Sequence, residues 1–238
     1  MRALLAQLRV EIRLTLRRGE SLLITLVVPV VLLLFFGSVA PTPPEFLVPG
    51  LLALAVMSTS MVSLGIATAY ERYYGALKRL LGSPLPRSSL IVAKTLAVLV
   101  IEVVQIALLL GIARLMFGWQ PEGSLVAALA ALILGSAAFA GLGLLMAGTL
   151  RAEATLAVAN GLYLVFLLLG GFIVPLSNLP GPIAAAAHAL PAAALTDATR
   201  AALKTGSGSD QGVLGPLALL AGWAVVTMGA AAATFRPE

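Results

Sequence analysis

Six long apolar runs stand out along the chain: residues 22–39, 46–70, 89–113, 124–148, 154–174 and 213–235. Each is long enough to cross about 30 Å of hydrocarbon as a helix rising about 1.5 Å per residue. Five contain no Asp, Glu, Lys or Arg; the third holds Lys94 and Glu102. The pattern predicts an all-α membrane protein of six transmembrane helices, forming a single transmembrane domain over residues 1–238.

Before the first run, residues 1–20 alternate differently. At about 100° per residue, Arg2, Arg9, Arg13 and Arg17 share one stripe, with Leu4, Leu5, Leu8 and Ile12 beside it. This predicts an interfacial helix lying in the headgroup plane, in contact with membrane lipid. Gly19 offers a hinge into the first span, where Pro29 is tolerated because neighbouring helices can re-satisfy the freed carbonyl. Ser38-Val39-Ala40 resembles a signal cleavage site, but the apolar run is longer than the usual signal core of about 7 to 15 residues, so a retained span is expected.

Between the second and third runs lies a polar island, residues 71–88, carrying Arg72, Lys78, Arg79 and Arg87. Leu77, Leu80 and Leu81 sit at helical spacing, and Gly82, Pro84 and Pro86 stop the element, which predicts a short surface helix with a sharp exit. Residues 175–203 are apolar but cut by Pro180, Pro182 and Pro191 into pieces too short to span, which predicts re-entrant or interfacial helices between the fifth and sixth spans. Residues 206–212, GSGSDQG, read as a flexible link.

Charge then sets the orientation. With the N-terminus inside, eleven Lys and Arg outside the spans lie on the cytoplasmic side, against Arg114, Arg200 and Lys204 on the other. Loops rich in Lys and Arg stay cytoplasmic, so both termini and the island are expected there, and residues 175–203 outside. Composition agrees with a membrane protein, at 60% hydrophobic and 11% charged residues. The basic balance reads as orientation signals and headgroup contacts, with no nucleic-acid partner inferred. With no Cys there are no disulfides and no thiolate metal site.

The chemistry is sparse. No phosphate-binding loop occurs, because Lys94-Thr95 lacks the required glycines, so any ATP energy must come from another polypeptide. His188 has no nearby cluster at ligand spacing and reads as a solvated or interface histidine, not a metal ligand. No catalytic residue is assigned, and paired catalytic groups are lacking. Glu102, near the middle of the third span, must face protein or water because an ionised carboxylate costs about 2.5–3.5 kcal/mol there. It is read either as part of a cargo path, with Gln105, Asn160 and Tyr163, or as a structural hydrogen bond between helices. Lys94, about 12 Å closer to the cytoplasm by helical rise, is expected to snorkel to the headgroups. The fourth span carries Ala137, Gly141 and Gly148, which permit close helix packing.

The order of these features resembles the membrane subunit of type-2 ABC exporters, the bacterial drug and lipid export permeases. The resemblance is carried by Glu71, Arg72, Gly75, Leu77, Leu81, Pro84, Leu85, Pro86 and Lys94 in and after the island. Pro175 to Pro180, Leu190-Pro191 and Asp197 to Arg200 carry it in the broken segment. It departs at Tyr73, Tyr74 and Ala76, where the family usually has charged residues and Thr. The resemblance implies that Glu71, Arg72, Gly75, Leu77, Leu80, Leu81 and Pro84 belong to a coupling helix that docks into an ABC ATPase. It implies two ATPase subunits, which bind the ATP and Mg, and a second permease chain, identical or homologous, while this chain carries no cofactor. It further implies residence in the bacterial inner membrane, broken external helices that act as an outer lid, and export of an amphipathic or hydrophobic cargo such as a drug or lipid. The alternative reading is a proton-coupled secondary carrier using Glu102.

Overall fold

The structure, a computed structural model, describes residues 2–17, 19–39, 42–76, 87–203 and 212–234. Every regular element among them is helical. We number them α1 (Arg2–Arg17), α2 (Gly19–Ser38), α3 (Pro44–Tyr73), α4 (Arg87–Phe117), α5 (Leu125–Thr149), α6 (Ala152–Leu169), α7 (Gly181–His188), α8 (Pro191–Leu203) and α9 (Leu214–Thr234). A 3₁₀ turn, Leu176–Asn178, precedes α7. Among the described residues, five helices (α3, α4, α5, α6 and α9) are long and apolar enough to cross a membrane. Within α2 the apolar stretch Thr25–Ser38 is shorter.

The central element is α3. Ala53, Leu54, Ala55, Val56 and Met57 are buried in succession, so every face of this helix is covered by protein, as expected for a helix apolar all round at the middle of a bundle. Near its midpoint it widens into a π-helical segment, Ser58–Ser63. Such an irregularity within an α-helix shifts the side chains that follow it relative to those before it. Here it places Thr59 and Ser60 against α4.

Close approach between α3 and α5 depends on two glycines that face each other. A methyl group on Gly143 would lie 2.7 Å from the Met61 carbonyl oxygen, and one on Gly65 would lie 3.0 Å from the Gly143 Cα. Small residues let membrane helices approach backbone to backbone. Of the small residues singled out in the fourth span, Gly141 serves the same purpose against Thr227 and Met228 of α9. The Thr227 hydroxyl donates across to the Ala138 carbonyl at 2.9 Å.

The fifth span ends earlier than its apolar run. Helix α6 stops at Leu169 and not at residue 174, because Gly170 closes the last turn onto Phe166 (2.6 Å) and Gly171 adopts φ +68°, a left-handed conformation open to glycine. The broken segment that follows forms short helices packed on the bundle end. Helix α8 is almost entirely buried, lying against α3, α5 and α9.

The two ends of the bundle differ. At the island end, where α3 finishes and α4 begins, α1 packs against α4. At the far end, α8 packs against α3, α5 and α9, and α7 lies against α8. Leu77, Leu80, Leu81 and Pro84 lie outside the described residues, as does most of the 206–212 link.

Candidate functional site

Polar side chains gather in three places along the bundle. The first is the root of the island. Lys94 is only 2% exposed, and its Nζ donates to Glu71 Oε2 of α3 at 2.6 Å and to Glu11 Oε2 of α1 at 3.0 Å. Gln7 Nε2 donates to the second Glu11 oxygen at 2.9 Å. One ammonium thus joins three elements: α1, the helix that runs into the island and the helix that leaves it. Lys94 was expected to snorkel; it is enclosed instead, because two carboxylates satisfy it within the protein and extension to the headgroups would leave them buried without it.

Around this triad the chain end of α3 is fixed in detail. Arg72 Nη1 donates to the Gly148 carbonyl and Nη2 to the Leu150 carbonyl, both at 2.6 Å. These are carbonyls at the C-terminal end of α5, where helical acceptors lack intrahelical partners and a cation is favoured by the helix dipole. Gly75 then takes φ +72°, with its N–H on the Arg72 carbonyl at 3.0 Å, and turns the chain out of α3.

The second gathering lies about 12 Å along α4 from Lys94, by helical rise. Glu102, 2% exposed, accepts from Ser60 Oγ of the π-helical segment at 2.5 Å and from Ser136 Oγ of α5. Gln105, one turn on, accepts from Thr59 Oγ1 at 2.9 Å and donates to the Thr25 carbonyl of α2 at 3.1 Å. These two residues of α4 therefore reach α2, α3 and α5. Asn160 and Tyr163 do not join them. Asn160 is exposed on α6 and donates to Leu156 of its own helix, and Tyr163 is half-buried on the same helix.

The third gathering closes the far end. Arg200 of α8 donates Nη2 to the carbonyls of Gly171 (2.6 Å) and Phe172 (3.2 Å), and both Nε and Nη2 reach the Phe46 carbonyl at 3.3 Å. Its guanidinium carbon stacks 3.5 Å from the centre of the Phe46 ring. Burial lowers the Arg200 pKa to about 10, with Asp197 opposing the shift, so the group stays charged near neutral pH. His188 Nδ1 lies 3.1 Å from Asp197 Oδ2, joining α7 to α8.

The polar groups thus fasten helices to one another and present no catalytic constellation among the described residues. The chain matches the family model described as ABC-2 type transporter over residues 2–203. It belongs to that family. A comparison with curated proteins found no match. The match covers α1, both sides of the island and the segment at the far end through α8. As an ABC-2 permease, the chain is a multi-pass membrane component of a transporter.

The residue missed in the sequence of this permease is Glu11. Its signal was present: counted at about 100° per residue, Glu11 lies opposite the arginine stripe of α1, next to Leu4 and Leu8. An acid on the apolar side of a basic helix calls for a buried cation, and Lys94 is the one that meets it. The π-helical segment has no comparable signal, because SMVS and its flanks read as an ordinary apolar helix.

Proposed function

We propose that the chain is the membrane-spanning subunit of an ATP-driven exporter, working as two permease chains with two ATPase subunits and moving amphipathic or hydrophobic cargo out of the cytoplasm or inner leaflet. Both termini and the island face the cytoplasm in this reading, as the charge asymmetry of the loops requires. The island docks on the ATPase, and helices α7 and α8 form the outer lid. The single observation that carries the proposal is the Lys94 triad, in which one buried ammonium ties the island root to α1 and to α4.

A coupling element has to be stiff where it joins the membrane domain, since a displacement at a loose root would be absorbed there and never reach the spans. Glu71 and Arg72 supply that stiffness by acting inward, on Lys94 and on the end of α5. Contact with the ATPase then falls to Leu77, Leu80 and Leu81, whose helical spacing suits an apolar groove. Glu102 and Gln105 act as fasteners between spans. This makes a proton path through Glu102 the weaker reading, since its carboxylate is enclosed by two serines of neighbouring helices.

The test is co-purification and ATP hydrolysis. Leu81→Asp should insert normally yet lose association with the ATPase subunit and cargo-stimulated hydrolysis. Wild-type association and export in that variant would remove the island from the coupling path. Transport driven by a pH gradient without nucleotide would favour the carrier.

A further inference from the structure

Beneath the interfacial helix lies a cavity of about 830 Å³ that no step above uses. It is formed within one chain, between α1, α3 and α4, with Thr25 of α2 at its edge. Its volume falls within the range of about 300–1,000 Å³ typical of small-molecule sites.

The walls are segregated. Glu11, Glu71 and Lys94 form the end towards the island, with Arg17 and Tyr74 also on the lining. Val62, Ile66, Val98 and Ile101 supply an apolar middle, and Ser58, Thr59 and Ser63 of the π-helical segment bring hydroxyls to it. A cavity with an ionic end, an apolar length and a position directly under a headgroup-level helix has the polarity of a lipid-like molecule entering head-last from the interface.

The sign of the head follows from the ionic end. The lining as a whole carries two carboxylates, Glu11 and Glu71, and two cations, Arg17 and Lys94, and Lys94 is already held by both carboxylates. A purely anionic head meets those carboxylates at close range, and a purely cationic one must compete with Lys94 for them. A head bearing both charges can pair with each sign at once without unmaking the triad. We propose that this cavity binds a single-chain zwitterionic amphiphile, its head at Glu11, Glu71 and Lys94 and its chain along Val62, Ile66 and Val98. Because Lys94 also braces the island root, an occupant there touches the element that couples to the ATPase. That the occupant is exported cargo rests on the exporter reading above; that it binds does not.

The native chain has no cysteine, so Ser63→Cys introduces a single, nearly isosteric thiol on the cavity wall. The purified chain in lipid nanodiscs is treated with N-ethylmaleimide, alone and with submicellar dodecylphosphocholine, dodecyl sulfate or dodecyltrimethylammonium. Dodecylphosphocholine should slow alkylation several-fold and saturably, and the singly charged detergents should do so far less. Protection should vanish when Ala67→Phe fills the cavity, with Ile66→Trp as a second filling variant should the first not fold. Absence of protection, equal protection by all three detergents, or protection that survives both fillings would overturn the proposal. If dodecylphosphocholine protects but the assembled complex does not export it, the site stands and its assignment to cargo falls.

Discussion

Removing the Lys94 ammonium would leave Glu11 and Glu71 buried side by side without their shared cation. Breaking a buried pair in this way costs about 3–5 kcal/mol, so Lys94→Met should lower the thermal stability of the purified permease markedly. Glu71→Gln should be much milder, because Lys94 keeps Glu11. Equal melting of both variants would mean that the triad does not brace the bundle. At Glu102 the loss is of hydrogen bonds between helices, worth about 0.6–1.7 kcal/mol each in a membrane. Glu102→Ala should therefore shift the denaturation midpoint in dodecyl sulfate downward by an amount matching two such bonds, and Glu102→Gln, which keeps an acceptor, by less. A changed cargo preference with unchanged stability would return Glu102 to the cargo path. Lys94 itself shows why single-residue reading stops short: its position in the sequence suits snorkelling, and only the approach of α1 and α3 supplies the two carboxylates that hold it inside.

At the scale of elements, five of the six apolar runs recur as helices long and apolar enough to span, while the first recurs as α2 with a shorter apolar stretch. What escaped were features decided by neighbours. Helix α6 ends at Gly170 because a glycine turn competes with an apolar run that would otherwise continue, and the π-helical segment of α3 depends on partners in α4 and α5. Small residues in α5 were noticed at Gly141, yet Gly143 makes the closest approach to α3, opposite a glycine that periodicity does not single out. Gly143→Val should push α3 and α5 apart and, by the usual cost of overpacking, destabilise by about 1–3 kcal/mol. A midpoint in dodecyl sulfate equal to wild type would show that this crossing is loose. Gly75→Ala, at φ +72°, should cost about 1–2 kcal/mol through backbone strain alone.

For the whole molecule, the candidate site was half legible. The sequence located the island, Glu71, Arg72 and Lys94, but not that Lys94 holds Glu71 and Glu11 of α1 together, nor that Arg72 is fastened to the end of α5. The proposed orientation rests on the loop charges and predicts that a single thiol from Ser83→Cys resists an impermeant maleimide in intact cells and reacts after permeabilisation. Labelling from outside would invert the topology. The central claim is that the triad transmits motion between the island and the spans, and it is tested most directly by cargo-stimulated ATP hydrolysis in the reconstituted complex of permease and ATPase. Glu71→Gln should fold, assemble and lose most of the stimulation, and the exchange Glu71→Lys with Lys94→Glu should restore part of it. Wild-type stimulation and export by Glu71→Gln would contradict the account.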